Sequence, residues 1–418
     1  MRRRAALLAL ALLAAGCSER ARLNPFDPAN PHTGGRPAGF AAVAGNQSVR
    51  LAWDYVSSPT LVGYQVFRLA PGDTGYRALS GVMPPTQTSL GDFGLLNGAD
   101  HRYRLYFVFD GGLGDLFAED VATPGPLRAW VADYGARELV RLSADGRHVA
   151  ESFAPAGGAY PVAVDVDPAS GRVWAVGSAG DVCVYEPGSG RSTVIGQALG
   201  TPACVAVVPG DSSAWIGDVD QGRLVHLYPS GAPAEPPVLT VLGYPGSVAI
   251  DAADGSIWVV EQDSNRVRRY TADGALALVA RVDMPSRVAV DPVTHEAWVT
   301  SFYAARIVRV SSAGALLDTV ACGGAIGVAV DAARRRVWVA DGGADRVLAL
   351  ATDGSVVATV TGQPGARELD VDPATGEVWV TLGAAGAVSR LSPTGQELAR
   401  ATGLASPWGI ALDDVTRR

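Results

Sequence analysis

Seven tryptophans recur through the last two thirds of this 418-residue chain, at Trp130, Trp174, Trp215, Trp258, Trp298, Trp338 and Trp379, spaced by 44, 41, 43, 40, 40 and 41 residues. A period of that length held over seven units means one supersecondary unit copied and stacked. A lone unit of about 41 residues cannot bury its own apolar face. Other columns keep step with the tryptophans. Eight residues after them come Arg223, Arg266, Arg306 and Arg346, and sixteen after come Gly146, Gly190, Gly231, Gly274, Gly314, Gly354 and Gly395. Seven residues before them stand Asp167, Asp251, Asp291, Asp331 and Asp372, each closing an apolar run such as Val288-Ala289-Val290. Six residues ahead of the Asp column lies a proline column: Pro161, Pro202, Pro245, Pro285 and Pro407. Each unit therefore reads as four antiparallel strands, with the tryptophan on the second and a glycine turn before the fourth. Alternating large Val and small Ala on the first strand suits a sheet covered on both faces by its neighbours.

The ends of the repeat are complementary. No Val-Ala-Val-Asp run precedes Trp130, while Trp408-Gly409-Ile410-Ala411-Leu412-Asp413 supplies one with no second strand after it. The expectation is that strand 409–412 completes the sheet begun by 129–155. Units such as Trp338-Val339-Ala340-Asp341 followed by Arg346-Val347 resemble the NHL/YVTN-type seven-bladed β-propellers. That resemblance spans about 290 residues of the sequence and implies a propeller over 125–418, closed by the C-terminal strand. It also implies that ligands meet the face carrying the loops between second and third strands.

Ahead of the repeats the chain changes character. Arg2 to Arg4 followed by the apolar run Ala5–Ala15 has the length of a signal-peptide h-region and is too short to cross a bilayer. The run ends in Leu13-Ala14-Ala15-Gly16-Cys17-Ser18, which resembles a bacterial lipobox and implies cleavage after residue 16 and lipid on Cys17. Ser18 resembles the sorting pattern of outer-membrane lipoproteins, so the expected address is the bacterial cell envelope, with membrane contact through the lipid alone. Residues 17–37 hold four prolines and no apolar period, so they are expected to form an extended, semi-rigid tether of roughly 60 Å. Between 38 and 124, six short β patterns separated by Gly, Pro and Asp predict a sandwich. Its Trp53, Tyr64, Tyr103 and Tyr106 resemble the core and corner residues of a fibronectin type III domain, a family in which such modules serve as spacers. The expected fold class is thus all-β, a sandwich followed by a propeller.

Composition narrows the chemistry. All 34 basic residues are arginine, which excludes Schiff-base catalysis and a phosphate loop ending in Gly-Lys. A net charge of −8, falling to −11 once the three leading arginines are cleaved off, argues against nucleic acid as a partner. The five histidines align with neither one another nor the loop face, so no cofactor and no resident metal is expected.

Candidate residues are those that break the repeat. Asp165 and Asp370 replace the alanine that Ala206, Ala249, Ala289, Ala329 and Ala411 supply elsewhere. Two positions earlier, Arg287 and Glu368 stand where other units have Ala163, Ser247 or Gly409, and Arg367 and Trp408 share the position before that. A buried charge without a partner is very costly, so these groups either form a polar central site or are ion-paired within a structural ring. On the loop face, Tyr134, Asp263 and Tyr303 are the binding candidates. Asp133, Asp218, Glu261 and Asp341 recur with the Arg column and are expected to be structural hydrogen-bonding groups of the units. Cys183 and Cys204 read as buried thiols. Together these features describe a monomeric, lipid-anchored envelope protein presenting a binding platform to a protein or glycan. The alternative is a propeller enzyme of the lyase or lactonase kind, with its site in the central channel.

Overall fold

A computed structural model describes residues 23–155, 160–186, 190–195, 199–241 and 243–413. The signal segment 1–16 and Cys17 lie outside these. The chain is all-β, with no α-helix among the described residues, and it divides into two compact units between Pro126 and Leu127. No helix there is long and apolar enough to cross a membrane.

The first unit holds two antiparallel sheets. One has three strands, Ala41–Gly45, Ser48–Ala52 and Ser89–Phe93; the other runs Arg77–Ala78, Gly63–Leu69, His101–Phe109, Gly112–Ala122 in spatial order. Alternate residues of His101–Phe109 turn inward, and Tyr103, Leu105 and Phe107 are buried with Trp53, Tyr64, Val66 and Leu51. Buried Tyr103 donates its hydroxyl proton to Asp92 at 2.9 Å, and Arg68 pairs with the same carboxylate.

Residues 23–37 differ from the expected extended tether. They form a run of turns in which the Asn24, Asp27 and Asn30 side chains accept backbone N–H groups two residues on, at 3.1, 2.8 and 2.9 Å. Phe26 sets its ring edge-on to Phe107 at 4.8 Å and Phe109 at 5.1 Å. Proline stiffens a chain but does not choose its direction; here the Asx turns and one half-buried aromatic fold the segment back onto its own unit.

Among its described residues the second unit contains seven four-stranded antiparallel sheets. Six are consecutive in sequence, with first strands Pro161–Val166, Pro202–Val207, Pro245–Ile250, Arg287–Asp291, Ala325–Asp331 and Ala366–Val371. The remaining sheet is made from both ends: Pro407–Leu412 pairs antiparallel with Ala129–Asp133, which continues to Glu138–Leu142 and Val149–Phe153. The seven first strands touch in succession, and Pro407–Leu412 contacts both Ala366–Val371 and Pro161–Val166, so the succession returns to its start. A cavity of about 160 Å³ is lined by residues from all seven.

Burial follows from this stacking. Second strands such as Ile257–Glu261 and Val378–Leu382 are buried at every residue, whereas the fourth strand Val356–Thr361 is largely exposed. All seven repeat tryptophans are at most 3% exposed. Each packs into the following sheet: Trp174 meets Val205, Val207 and Ile216, and Trp379 meets Val131, Val140 and Ile410 of the sheet made from both ends. The seven turn glycines all take φ between +67° and +89°, a left-handed conformation that costs a side-chain-bearing residue about 1–2 kcal/mol.

Candidate functional site

Register places the repeat-breaking residues in two tiers on the first strands, of which Arg287 and Glu368 line the central cavity. The residue opposite each tryptophan on the first strand is an alanine in five sheets, but Asp165 faces Trp174 and Asp370 faces Trp379. Two residues before these on the strand, about 6–7 Å nearer the loop end, lie the positions of Arg287 and Glu368.

The deeper tier is engaged with backbone and stands away from the mouth. Asp165 accepts N–H from Val166 at 2.8 Å and from Val207 on the next first strand at 2.7 Å. Asp370 does the same with Val371 at 2.7 Å and Leu412 at 2.8 Å. A first strand is an edge strand, with N–H groups that the ladder leaves unpaired; each carboxylate supplies the acceptor across a sheet junction. Burial raises the Asp165 carboxyl to about 7 and the Asp370 carboxyl to about 6, although both backbone bonds favour the anion. Ser247 repeats the device with a hydroxyl, accepting Val288 N–H at 3.2 Å.

The upper tier is an ion pair. Arg287 Nε bonds Glu368 across the cavity, and Arg287 Nη1 also donates to the Gly246 and Ser286 carbonyls at 3.2 and 3.1 Å. Glu368 N–H donates to Thr381 Oγ1 at 3.0 Å, which fixes that end of the pair.

The mouth is built by a bond repeated from sheet to sheet. The backbone N–H just after a second strand donates to a carbonyl in the segment leading into the first strand: Tyr134 to Ser406, Ser178 to Tyr160, Val219 to Thr201 and Gln262 to Tyr244, all at 3.0–3.1 Å. The acidic column locks the same segments. Asp133 accepts Ala405 and Ser406 N–H at 2.8 and 2.7 Å, while Asp218 accepts Gly200 N–H and pairs with Arg223 at 3.1 Å each. Arg346 pairs likewise with Asp341 at 2.8 Å; in the Glu261 sheet the partner is Arg268, at 2.6 Å, in place of Arg266.

On this frame sits a row of rings and guanidinium groups. Arg367 lies with Cζ 3.8 Å from the Trp408 ring centre, and Tyr134 stacks on Trp408 at 4.2 Å and 11°. Groups this close must occupy opposite faces of the indole. Tyr134 then meets Tyr160 at 4.9 Å, and Arg137 covers Tyr160 at 4.1 Å while bonding its hydroxyl. Trp408, Tyr134, Arg367 and Arg287 line a cavity of about 370 Å³ with Ser178, Thr201, Tyr244 and Gln262.

Of the loop-face candidates, then, Tyr134 joins Trp408 at the mouth. Asp263 and Tyr303 do not line this cavity; Tyr303 is 68% exposed, with Phe302 edge-on to it at 5.1 Å. The sequence reading missed Tyr160 and Tyr244. Their signal was available, since both immediately precede the proline column, at Pro161 and Pro245.

It also missed a cluster in the turns between first and second strands. Ligand-capable atoms of Asp251, Asp254 and His295 lie within 4.8 Å of one another. His295 Nδ1 is 2.7 Å from Asp251, which raises the histidine pKa, and Asp254 pairs with Arg269 at 2.5 Å. Neighbouring sheets are joined here by hydrogen bonds. Among the described residues, Cys183, Cys204 and Cys322 are buried and not joined in a disulfide. No family model matches the chain, and no curated protein matches it.

Proposed function

We propose that residues 125–418 form a seven-bladed β-propeller resembling the NHL/YVTN type, and that 38–124 form a fibronectin type III-like spacer. We further propose that the protein is a lipoprotein anchored through Cys17 in the bacterial cell envelope, where the propeller mouth binds a ligand. One observation carries the binding reading: Arg367, Trp408 and Tyr134 are held stacked at the rim of a 370 Å³ cavity whose polar lining comes from several sheets. Pockets of this size, with few convergent polar groups and aromatic walls, suit small ligands or a single inserted group of a larger one. A platform for a protein or glycan follows, with the mouth as its specific point.

Against the enzyme alternative stands the engagement of its four candidates. Asp165 and Asp370 each hold two backbone N–H groups, and Arg287 and Glu368 hold each other. All four thus hold partners within the protein, which disfavours a role in general acid–base chemistry at the cavity.

The test uses the full chain expressed in a Gram-negative host. Wild-type protein should fractionate with membranes and retain an envelope component through purification. Trp408→Ala should remain membrane-bound and lose that component, whereas Tyr303→Ala should keep it. Cys17→Ser should leave the membrane fraction. Equal retention by wild type and Trp408→Ala would remove the mouth as the binding point.

A further inference from the structure

The two arginines that line the mouth cavity are in opposite situations. Arg287 is fully occupied by Glu368 and two carbonyls. The Arg367 guanidinium, partly buried, makes no hydrogen bond and no ion pair among the described residues and lies over the Trp408 ring. The indole fixes the plane of the guanidinium while leaving its edge, with five N–H donors in a rigid fork, uncommitted. Burial works against the Arg367 charge and Arg287 repels it; the Glu368 carboxylate favours it but is already bonded to Arg287. A cation desolvated in this way without a counter-charge is costly to keep. A planar anion arriving in the cavity would supply both the counter-charge and the acceptors that the fork lacks.

Three more polar groups in the same cavity are uncommitted. The Tyr244 hydroxyl, the Gln262 side-chain amide and the Ser178 hydroxyl have no hydrogen-bond partner among the described residues, whereas the Thr201 hydroxyl is taken by Asp220 at 2.8 Å. Each can both donate and accept, which is what an alcohol needs. Val162, Pro202 and Ala203 supply an apolar wall. Both faces of Trp408 are covered, so the indole positions Arg367 and is closed to stacking by a ligand ring.

We propose that the mouth cavity binds a small hydroxylated carboxylate, such as a sugar acid, with Arg367 receiving the carboxylate and Tyr244, Gln262 and Ser178 receiving the hydroxyls. This inference rests on the mouth being the binding point and adds the chemistry of what binds there. Carboxylate is favoured over phosphate because one guanidinium balances a single negative charge, and among the described residues no second uncommitted cation lines the cavity.

Calorimetric titration of the full chain tests this with three probes: glucuronate, glucose as its neutral counterpart, and inorganic phosphate. Glucuronate should bind saturably and at least ten-fold more tightly than either of the others. Arg367→Gln should lose ten-fold or more of the glucuronate affinity, and Arg367→Lys, which keeps the charge but not the fork, should fall between. Tyr303→Ala, outside the cavity, should match wild type. Unchanged melting of the Arg367 variants, followed alongside, shows that the fold is intact; if Gln unfolds the protein, Lys and Tyr244→Phe carry the comparison. Glucose binding as well as glucuronate, phosphate binding as well, or full affinity in Arg367→Gln would each overturn the proposal. Absence of glucuronate binding also overturns it. The mouth as binding point would survive that result if Trp408→Ala still lost the retained envelope component.

Discussion

Asp165 and Asp370 show how one residue type can be expensive and useful at once. An alanine at these positions would pack, as it does in five sheets, but the Val207 and Leu412 N–H groups would lose the acceptors the carboxylates give them. The sign of the pH dependence follows from the raised carboxyl pKa values, about 7 and about 6 against an ordinary 3.8. The folded state holds the proton to higher pH than the unfolded chain does, so this contribution is complete below about pH 4 and is lost as pH rises through 6 to 7. His295, raised by Asp251, adds in the same direction above its ordinary 6.5. His101 and His226, lowered by burial, act oppositely and mostly below 6.5. Wild type should therefore lose melting temperature between pH 6.5 and 8. Asp165→Ala should be less stable by about 1–3 kcal/mol at pH 6.5, the cost of an unsatisfied buried donor, and should show a shallower loss over that interval. Parallel pH profiles for the two proteins would contradict this account.

At the scale of elements, the strand Pro407–Leu412 does the most. It supplies the first strand of the sheet that opens the second unit, brings Ile410 against Trp379, and donates the Leu412 N–H to Asp370. Deleting residues 407–418 would bare the fully buried strand Ala129–Asp133 and undo two sheet junctions together. The loss should approach the whole stability of a domain, about 5–15 kcal/mol. A calorimetric scan should show no single cooperative transition for the second unit; a truncated protein melting like the intact one would refute the role. This strand was legible in advance because a missing Val-Ala-Val-Asp run at one end matches a spare run at the other. The second strands were legible for the same reason, since burial on both faces leaves a continuous apolar signature around each tryptophan. The segment 23–37 was not, because its prolines suggest extension while its direction depends on where Phe26 finds a surface. Asp165 and Asp370 stood out as breaks in a column, yet their task did not, because an unpaired N–H on a neighbouring sheet leaves no mark in sequence. Tyr134 was read as a loop-face residue, and only the fold shows it pressed against Trp408 from 274 residues away along the chain.

Over the whole molecule, what matters is that each junction in the second unit is packed around a repeat tryptophan. Trp174 seals one sheet to the next as Trp379 seals the sheet of Ala366–Val371 to the one assembled from both ends. The mouth inherits this equivalence: its lining comes from corresponding positions of different sheets, so each unit can vary its contribution without disturbing the frame. Leu412 lies directly opposite Ala129, so the chain leaves the second unit beside the point where it came in. The place where the polypeptide begins is consequently arbitrary as far as packing is concerned. A circular permutant joining 413 to 127 through a short linker, with new ends opened in the exposed turn at 312–313, should recover the same cooperative melting and the same ligand behaviour at the mouth. Failure of that permutant to fold would mean that order of synthesis, rather than the final set of contacts, decides which strand completes the shared sheet.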